Sequence, residues 1–244
     1  PQFINFVLFI LVIIAGIRGI DVGAKNLSIV FTWIIWSPLL AIILMPLFGR
    51  IWCYVCPIVW PGELIQRGLW SRFSRSLTLN KKWPKKLSNV WLQNIIFLLF
   101  VIWIMVLTTS PFATAVSVII LIVTATITAI IFPRRIFCRY ICPPGLFIGL
   151  FSNYAPLEVR VKNREICLIS PTKDGCNKEC YVGSEKGYGC PWNEFPQNMN
   201  TNFNCGLCME CLKNCTKDNI GLNFREFGVD LTSKDVKRGS DETW

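Results

Sequence analysis

The chain has 244 residues, 52% of them hydrophobic, a formal net charge of +10, twelve cysteines and no histidine. The lack of histidine excludes a His-ligated haem and an imidazole proton relay. The charge is no nucleic-acid signature: residues 1–151 hold only two acidic side chains, Asp21 and Glu63, whereas residues 152–244 are balanced, with 12 basic and 13 acidic.

Four apolar runs, Phe3–Ile20, Leu27–Leu47, Val90–Leu107 and Thr114–Phe132, have the length and purity of bilayer spans. The first reads as a span and not a signal peptide, because its apolar stretch is long and lacks an Ala-x-Ala-like cleavage sequence. Pro38 and Pro46 predict kinks in the second. Arg18 and Lys25 flank the first connection, and the connection near Ser110 has no charge. The opposite face carries eleven basic residues: Arg50, Arg67, Arg72, Arg75, Lys81, Lys82, Lys85, Lys86, Arg134, Arg135 and Arg139. Lysine and arginine concentrate in loops that are not translocated, so this face is expected in the cytoplasm of a multi-pass inner-membrane protein. The basic juxtamembrane loop favours anionic lipid. Within it, WSRFSRSL predicts a surface helix with Trp70 and Phe73 dipping into the interface. Asp21, on the far side, reads as a loop cap.

Residues 153–165 read as a linker. From Ile166 the chain turns rich in Cys, Gly, Asn and Pro, the composition of a fold organised by metal sites instead of a large apolar core. Residues 228–244 read as a polar tail. The expected domains are therefore 1–151, 152–227 and 228–244.

Twelve cysteines on the reducing side of a membrane point to metal, not disulfides. CGLCMECLKNC (Cys205, Cys208, Cys211, Cys215) has the C-x2-C-x2-C-x3-C spacing of bacterial ferredoxins. Zinc also takes Cys-x2-Cys pairs, but its sites use two well-separated pairs. Four more cysteines precede it: Cys167, Cys176, Cys180 and Cys190, the last followed by Pro191. They read as a stretched first ferredoxin motif, with a zinc knot or unligated thiols as alternatives. Because the fourth ligand of each motif serves the other cluster, Cys205, Cys208, Cys211 and Cys190 are expected on one [4Fe–4S] cluster and Cys167, Cys176, Cys180 and Cys215 on the other.

The remaining four lie at the feet of the apolar runs. RIWCYVCPIVWPG (50–62) and RIFCRYICPPG (135–145) repeat one phrase, Arg-Ile-aromatic-Cys, then Cys-Pro, then Gly. A pseudo-twofold arrangement would bring Cys53, Cys56, Cys138 and Cys142 together, as a third iron–sulfur cluster, a zinc site or a redox dithiol; two pairs of plain thiols in turns remain the alternative. Glu63, just past Cys56, is a costly carboxylate near lipid and a quinone-site candidate with Arg67, against the alternative of an i,i+4 ion pair between the two.

In its four spans, its Cys-Pro motifs after the second and fourth, and its two ferredoxin motifs, the chain resembles the NapH, MauN and NosR group of membrane-bound polyferredoxins. It also shares part of the plan of the copper-oxidase assembly protein CcoG. The resemblance is carried by Cys138, Cys142, Pro143, Gly145 and the Cys205–Cys215 motif. It departs at Cys53–Cys56, one residue shorter than the family's Cys-x3-Cys-Pro, and at the expanded first ferredoxin motif. It implies a four-helix transmembrane domain followed by a small α+β ferredoxin-like domain of the bacterial two-cluster type. It further implies electron transfer between the quinone pool and redox partner subunits. A maturation factor that reduces a metal or disulfide, and a passive anchor for a soluble redox enzyme, are the competing readings. Gene neighbours separate them: a reductase or oxidase subunit nearby favours the first, copper-transport genes the second.

Overall fold

The computed structural model describes residues 2–20, 22, 25–67, 78–168 and 176–232. Asp21, the WSRFSRSL segment with Trp70 and Phe73, and residues 233–244 of the expected tail lie outside them. The chain forms two compact units, residues 1–44 with 55–147, and residues 45–54 with 148–244. The second thus includes ten residues that the sequence groups with the membrane half.

The apolar helices are α1 (Gln2–Arg18), α2 (Leu27–Phe48), α5 (Trp91–Thr109) and α6 (Pro111–Ile131), with α3 (Ile51–Val55) and α4 (Trp60–Arg67) between them. Then follow α7 (Ile136–Tyr140) and α8 (Pro143–Tyr154). Three of them, α2, α5 and α6, are long and apolar enough to cross a membrane. The 17 residues of α1 cover about 26 Å at 1.5 Å each, against a hydrocarbon core of about 30 Å. A count of four spans therefore rests on α1.

Asn26 closes the turn from α1 into α2. Its side chain accepts from the Ser28 N–H at 2.8 Å and donates to the carbonyls of Ala15 and Ile20 at 3.0 and 2.9 Å. Pro38 leaves its mark within α2. The helix widens into π turns over Val30–Trp36 and Leu39–Leu44, and the Ser37 N–H reaches back five residues to Thr32. Proline has no N–H and its ring crowds the carbonyl four residues back, so the ladder loosens around it. Ser110 both ends α5 and caps α6, accepting from the Ala113 N–H at 3.3 Å, with Pro111 in the first helical position.

Helix α6 is the core of this unit and packs on α1, α4 and α5. Thr114, Ala115, Val118 and Ala125 are its buried face. Its last carbonyls find a donor in α4: the Gln66 amide donates to Ala129, Phe132 and Arg134 at 3.0 Å each. Away from water an unsatisfied carbonyl costs several kcal/mol, which explains why a glutamine is buried there. By contrast Leu98, Ile102 and Met105 of α5 are exposed, an arrangement suited to lipid.

The second unit is held by a two-stranded antiparallel sheet, β1 (Leu157–Val161) with β2 (Ile220–Phe224), Val159 opposite Leu222. Between the strands run α9 (Arg164–Leu168), α10 (Glu179–Val182) and α11 (Glu210–Asn214), and α12 (Val229–Thr232) follows β2. The core is small: Val159, Cys180, Leu207 and Ile220, with Ile51 packed against them. Polar bolts carry much of the rest. Buried Asn202 accepts from Arg160 at 2.8 Å, and its side chain donates to Leu157 O at 2.7 Å and its N–H to Asp230 at 2.9 Å. The head of the expected polar tail is itself packed: the Gly228 N–H donates to Tyr154, and Asp230 is buried in an ion pair with Arg225.

Candidate metal centre

Two groups of four thiols assemble in the second unit, and α10 and α11 build them alike. Each helix is about one turn. Each starts from a left-handed residue, Lys178 at φ 57° or Met209 at φ 59°, followed by Glu and then Cys. That step turns the chain so that the cysteine before it (Cys176 or Cys208) lies beside the one after it (Cys180 or Cys211). Spacing hides the repeat, because Cys176 to Cys180 is one residue longer than Cys208 to Cys211. The paired Glu-Cys dipeptides were the available signal.

The first group is Cys167, Cys176, Cys180 and Cys215. Burial pushes the Cys180 thiol up to about 12, and the charges of Cys176, Cys215 and Cys167 push the same way. Burial also raises Cys167, against a hydrogen bond from Asn219. The second group, Cys190, Cys205, Cys208 and Cys211, lines one cavity walled by Val159, Trp192, Pro196 and Met199. Burial pushes Cys205 up to about 12; the Leu207 N–H opposes this, while Cys208 and Cys190 add to it. Cys211 is raised by burial and then by Cys205, Cys208, Cys190 and Cys180, so the two groups adjoin. Cys215 leaves α11 in extended conformation, φ −77° and ψ 104°, which carries it from the second group to the first.

Among the described residues no group of three or more Cys, Asp or Glu side chains is set as the ligands of one metal ion. Each group of four thiols supplies the ligand number of a [4Fe–4S] cubane, a number that tetrahedral zinc shares.

Asn219 is a candidate site residue that sequence reasoning missed. Its N–H donates to Cys215 Sγ at 3.3 Å and its amide to Cys167 Sγ at 3.4 Å, while Asn163 O anchors it at 2.6 Å. Hydrogen bonds to ligand sulfurs stabilise thiolates and tune a bound cluster. Nothing in an isolated asparagine after a cysteine motif signals this.

The two membrane-foot phrases fold alike as local structures. Cys53 and Cys138 are the third residues of five-residue helices α3 and α7, and both are buried. Cys56 and Cys142 each precede a proline that opens the next helical turn. A thiolate at a helix start is favoured by the helix dipole. The Cys142 carbonyl accepts from the buried Gln93 amide at 2.7 Å. The four fall in different units, Cys53 in the second and Cys56, Cys138 and Cys142 in the first.

Glu63 is a partnered ion. Arg135 Nε donates to Oε1 at 2.5 Å, Gln2 to Oε2 at 2.8 Å, and Arg67 stands 3.6 Å away, so the ion pair with Arg67 is one part of a network centred on Arg135. Burial works to raise its carboxyl, but the arginines outweigh it and hold the group below its ordinary value.

Residues 29–86 and 114–164 match the family described as a 4Fe-4S binding domain, which supports an iron–sulfur protein. The matched segments contain Cys53, Cys56, Cys138 and Cys142 and end before Cys167. The chain is 24% identical to the uncharacterized protein MJ0750 of Methanocaldococcus jannaschii over 199 residues, 75% of this chain and 76% of that one. It is 23% identical to MJ0749 of the same organism over 223 residues, 90% of this chain and 80% of that one. No solved structure matches.

Proposed function

We propose that this protein is a membrane-anchored electron-transfer subunit whose second unit holds two [4Fe–4S] clusters. The observation that carries the reading is the sorting of eight cysteines into two adjoining groups of four, with Cys190 and Cys215 exchanged between motifs. Clusters so bound supply one-electron transfer. The chain holds them, shields them and keeps them side by side. The apolar helices support a bilayer setting for this relay, and the resemblance to polyferredoxins supports a quinone as the membrane-side reactant and a redox subunit as the other. The 4Fe-4S family description falling on the two Cys-Pro phrases supports iron–sulfur binding by their cysteines as well. The charge asymmetry of the connections supports a cytoplasmic location for both Cys-Pro phrases and the second unit.

The test is iron and sulfide analysis with EPR on anaerobically purified protein. Two clusters give about eight irons per chain and three about twelve. Zinc in place of iron and sulfide would end the reading. Cys215→Ser is expected to abolish the signal of the cluster held by Cys167, Cys176 and Cys180 first.

A further inference from the structure

Arg50 opens the first Cys-Pro phrase and is fully buried, at 0% exposure. Its guanidinium lies between two rings, 5.4 Å from the centre of Trp192 and 5.3 Å from that of Phe203. The space is built for it: a Cβ at Gly149 would come within 2.5 Å of the guanidinium. Trp192 is buried in turn. Its indole rests on the backbone of Gly206, where any side chain would overlap it, and it walls the cavity lined by Cys190, Cys205, Cys208 and Cys211. One aromatic ring thus separates a permanent cation from the space enclosed by four thiols.

A guanidinium cannot shed its proton at working pH. In a buried, low-dielectric setting a fixed positive charge favours whichever state carries the extra electron. Local charge is one of the levers that set a cluster's potential. Two other charged groups stand near this space: Arg160, paired with Glu158 and Asp230 at 3.5 and 3.7 Å, and Glu194, which lines the same cavity. We infer that Arg50, acting through Trp192, is a positioning residue that raises the reduction potential of the cluster held by Cys190, Cys205, Cys208 and Cys211. The inference rests on the reading of these cysteines as cluster ligands.

The experiment is an EPR-monitored redox titration of the full chain in detergent, with Cys215→Ser used to identify the other cluster's signal. Arg50→Gln is expected to lower the midpoint of the nearer cluster by about a tenfold change in its reduction equilibrium, about 59 mV for a one-electron couple. The other midpoint should hold. Arg50→Lys, which keeps the charge, should stay near the parent value. Gly149→Ala keeps the arginine but displaces it, and should move the same midpoint downward by less; it decides the matter if Arg50→Gln does not retain iron. An unmoved midpoint, equal movement of both clusters, or a shift in Arg50→Lys as large as in Arg50→Gln overturns the inference. Absence of any cluster signal in the parent protein instead sinks the iron–sulfur reading of these cysteines, and this inference with it.

Discussion

Arg135 is 4% exposed, and Glu63 is its anion. Removing the carboxylate strands a buried charge, so Glu63→Ala is expected to cost about 3–5 kcal/mol, read as a fall in thermal unfolding temperature in detergent. The same pair sets an acid limit. The folded carboxyl lies below the ordinary 4.5, so its contribution is complete above that value and is lost as pH falls through the folded pKa. Glu63→Gln should blunt the drop in stability below about pH 4.5; an unchanged acid profile would assign the acid limit to other groups. Asn219 acts on the first thiol group alone. Asn219→Ala should weaken cluster retention there about 10–100-fold while the second signal persists. Equal loss of both would make Asn219 a general folding residue.

At the scale of elements, α10 and α11 each start from a left-handed residue that turns one cysteine beside the next, and α11 ends at Cys215, whose extended conformation carries it to the other group. Such short helices have no stability of their own, because a costly nucleus is formed for few bonds. Their order depends on the small core of Val159, Leu207 and Ile220, and the proposed clusters would add to it. Gly206 links the two demands. Gly206→Ala drives a methyl into the Trp192 indole, at a cost of about 1–3 kcal/mol. It should remove the EPR signal of the cluster at Cys205 before that at Cys167, and a variant retaining both signals at parent intensity would show that Trp192 yields. In the membrane half, α6 is the helix on which the others close, because small and buried Ala115 and Ala125 admit close neighbours.

At the scale of the molecule, the chain combines apolar helices that suit lipid with a cysteine-rich unit held by a two-stranded sheet and polar bolts. With eleven basic residues on the Cys-Pro face, a C-terminal reporter fusion is expected to be active in the cytoplasm, and activity only in the periplasm would invert the topology. Chelation or oxidative loss of the clusters should unfold the second unit, seen as lost near-ultraviolet circular dichroism, while the helical signal of the apolar helices remains.

The amino-acid sequence by itself determined the apolar runs, the ferredoxin spacing and the repeated Cys-Pro phrase, because hydropathy and ligand spacing are properties of neighbours along the chain. The structure adds helix starts at Pro57, Pro111 and Pro143, where a missing N–H and a preset φ act locally. Tertiary structure decided the rest. Arg50 and Arg135 occupy the same place in the repeat, yet one is sandwiched by Trp192 and Phe203 and the other pairs with Glu63. The residues 45–54 join the second unit, and Asp230, in a segment that reads as tail, is buried. Asn219 meets Cys167 across the ends of two paired strands. Each of these depends on side chains far apart in sequence meeting in space, and no local period or spacing records which distant partner a buried charge or amide will find.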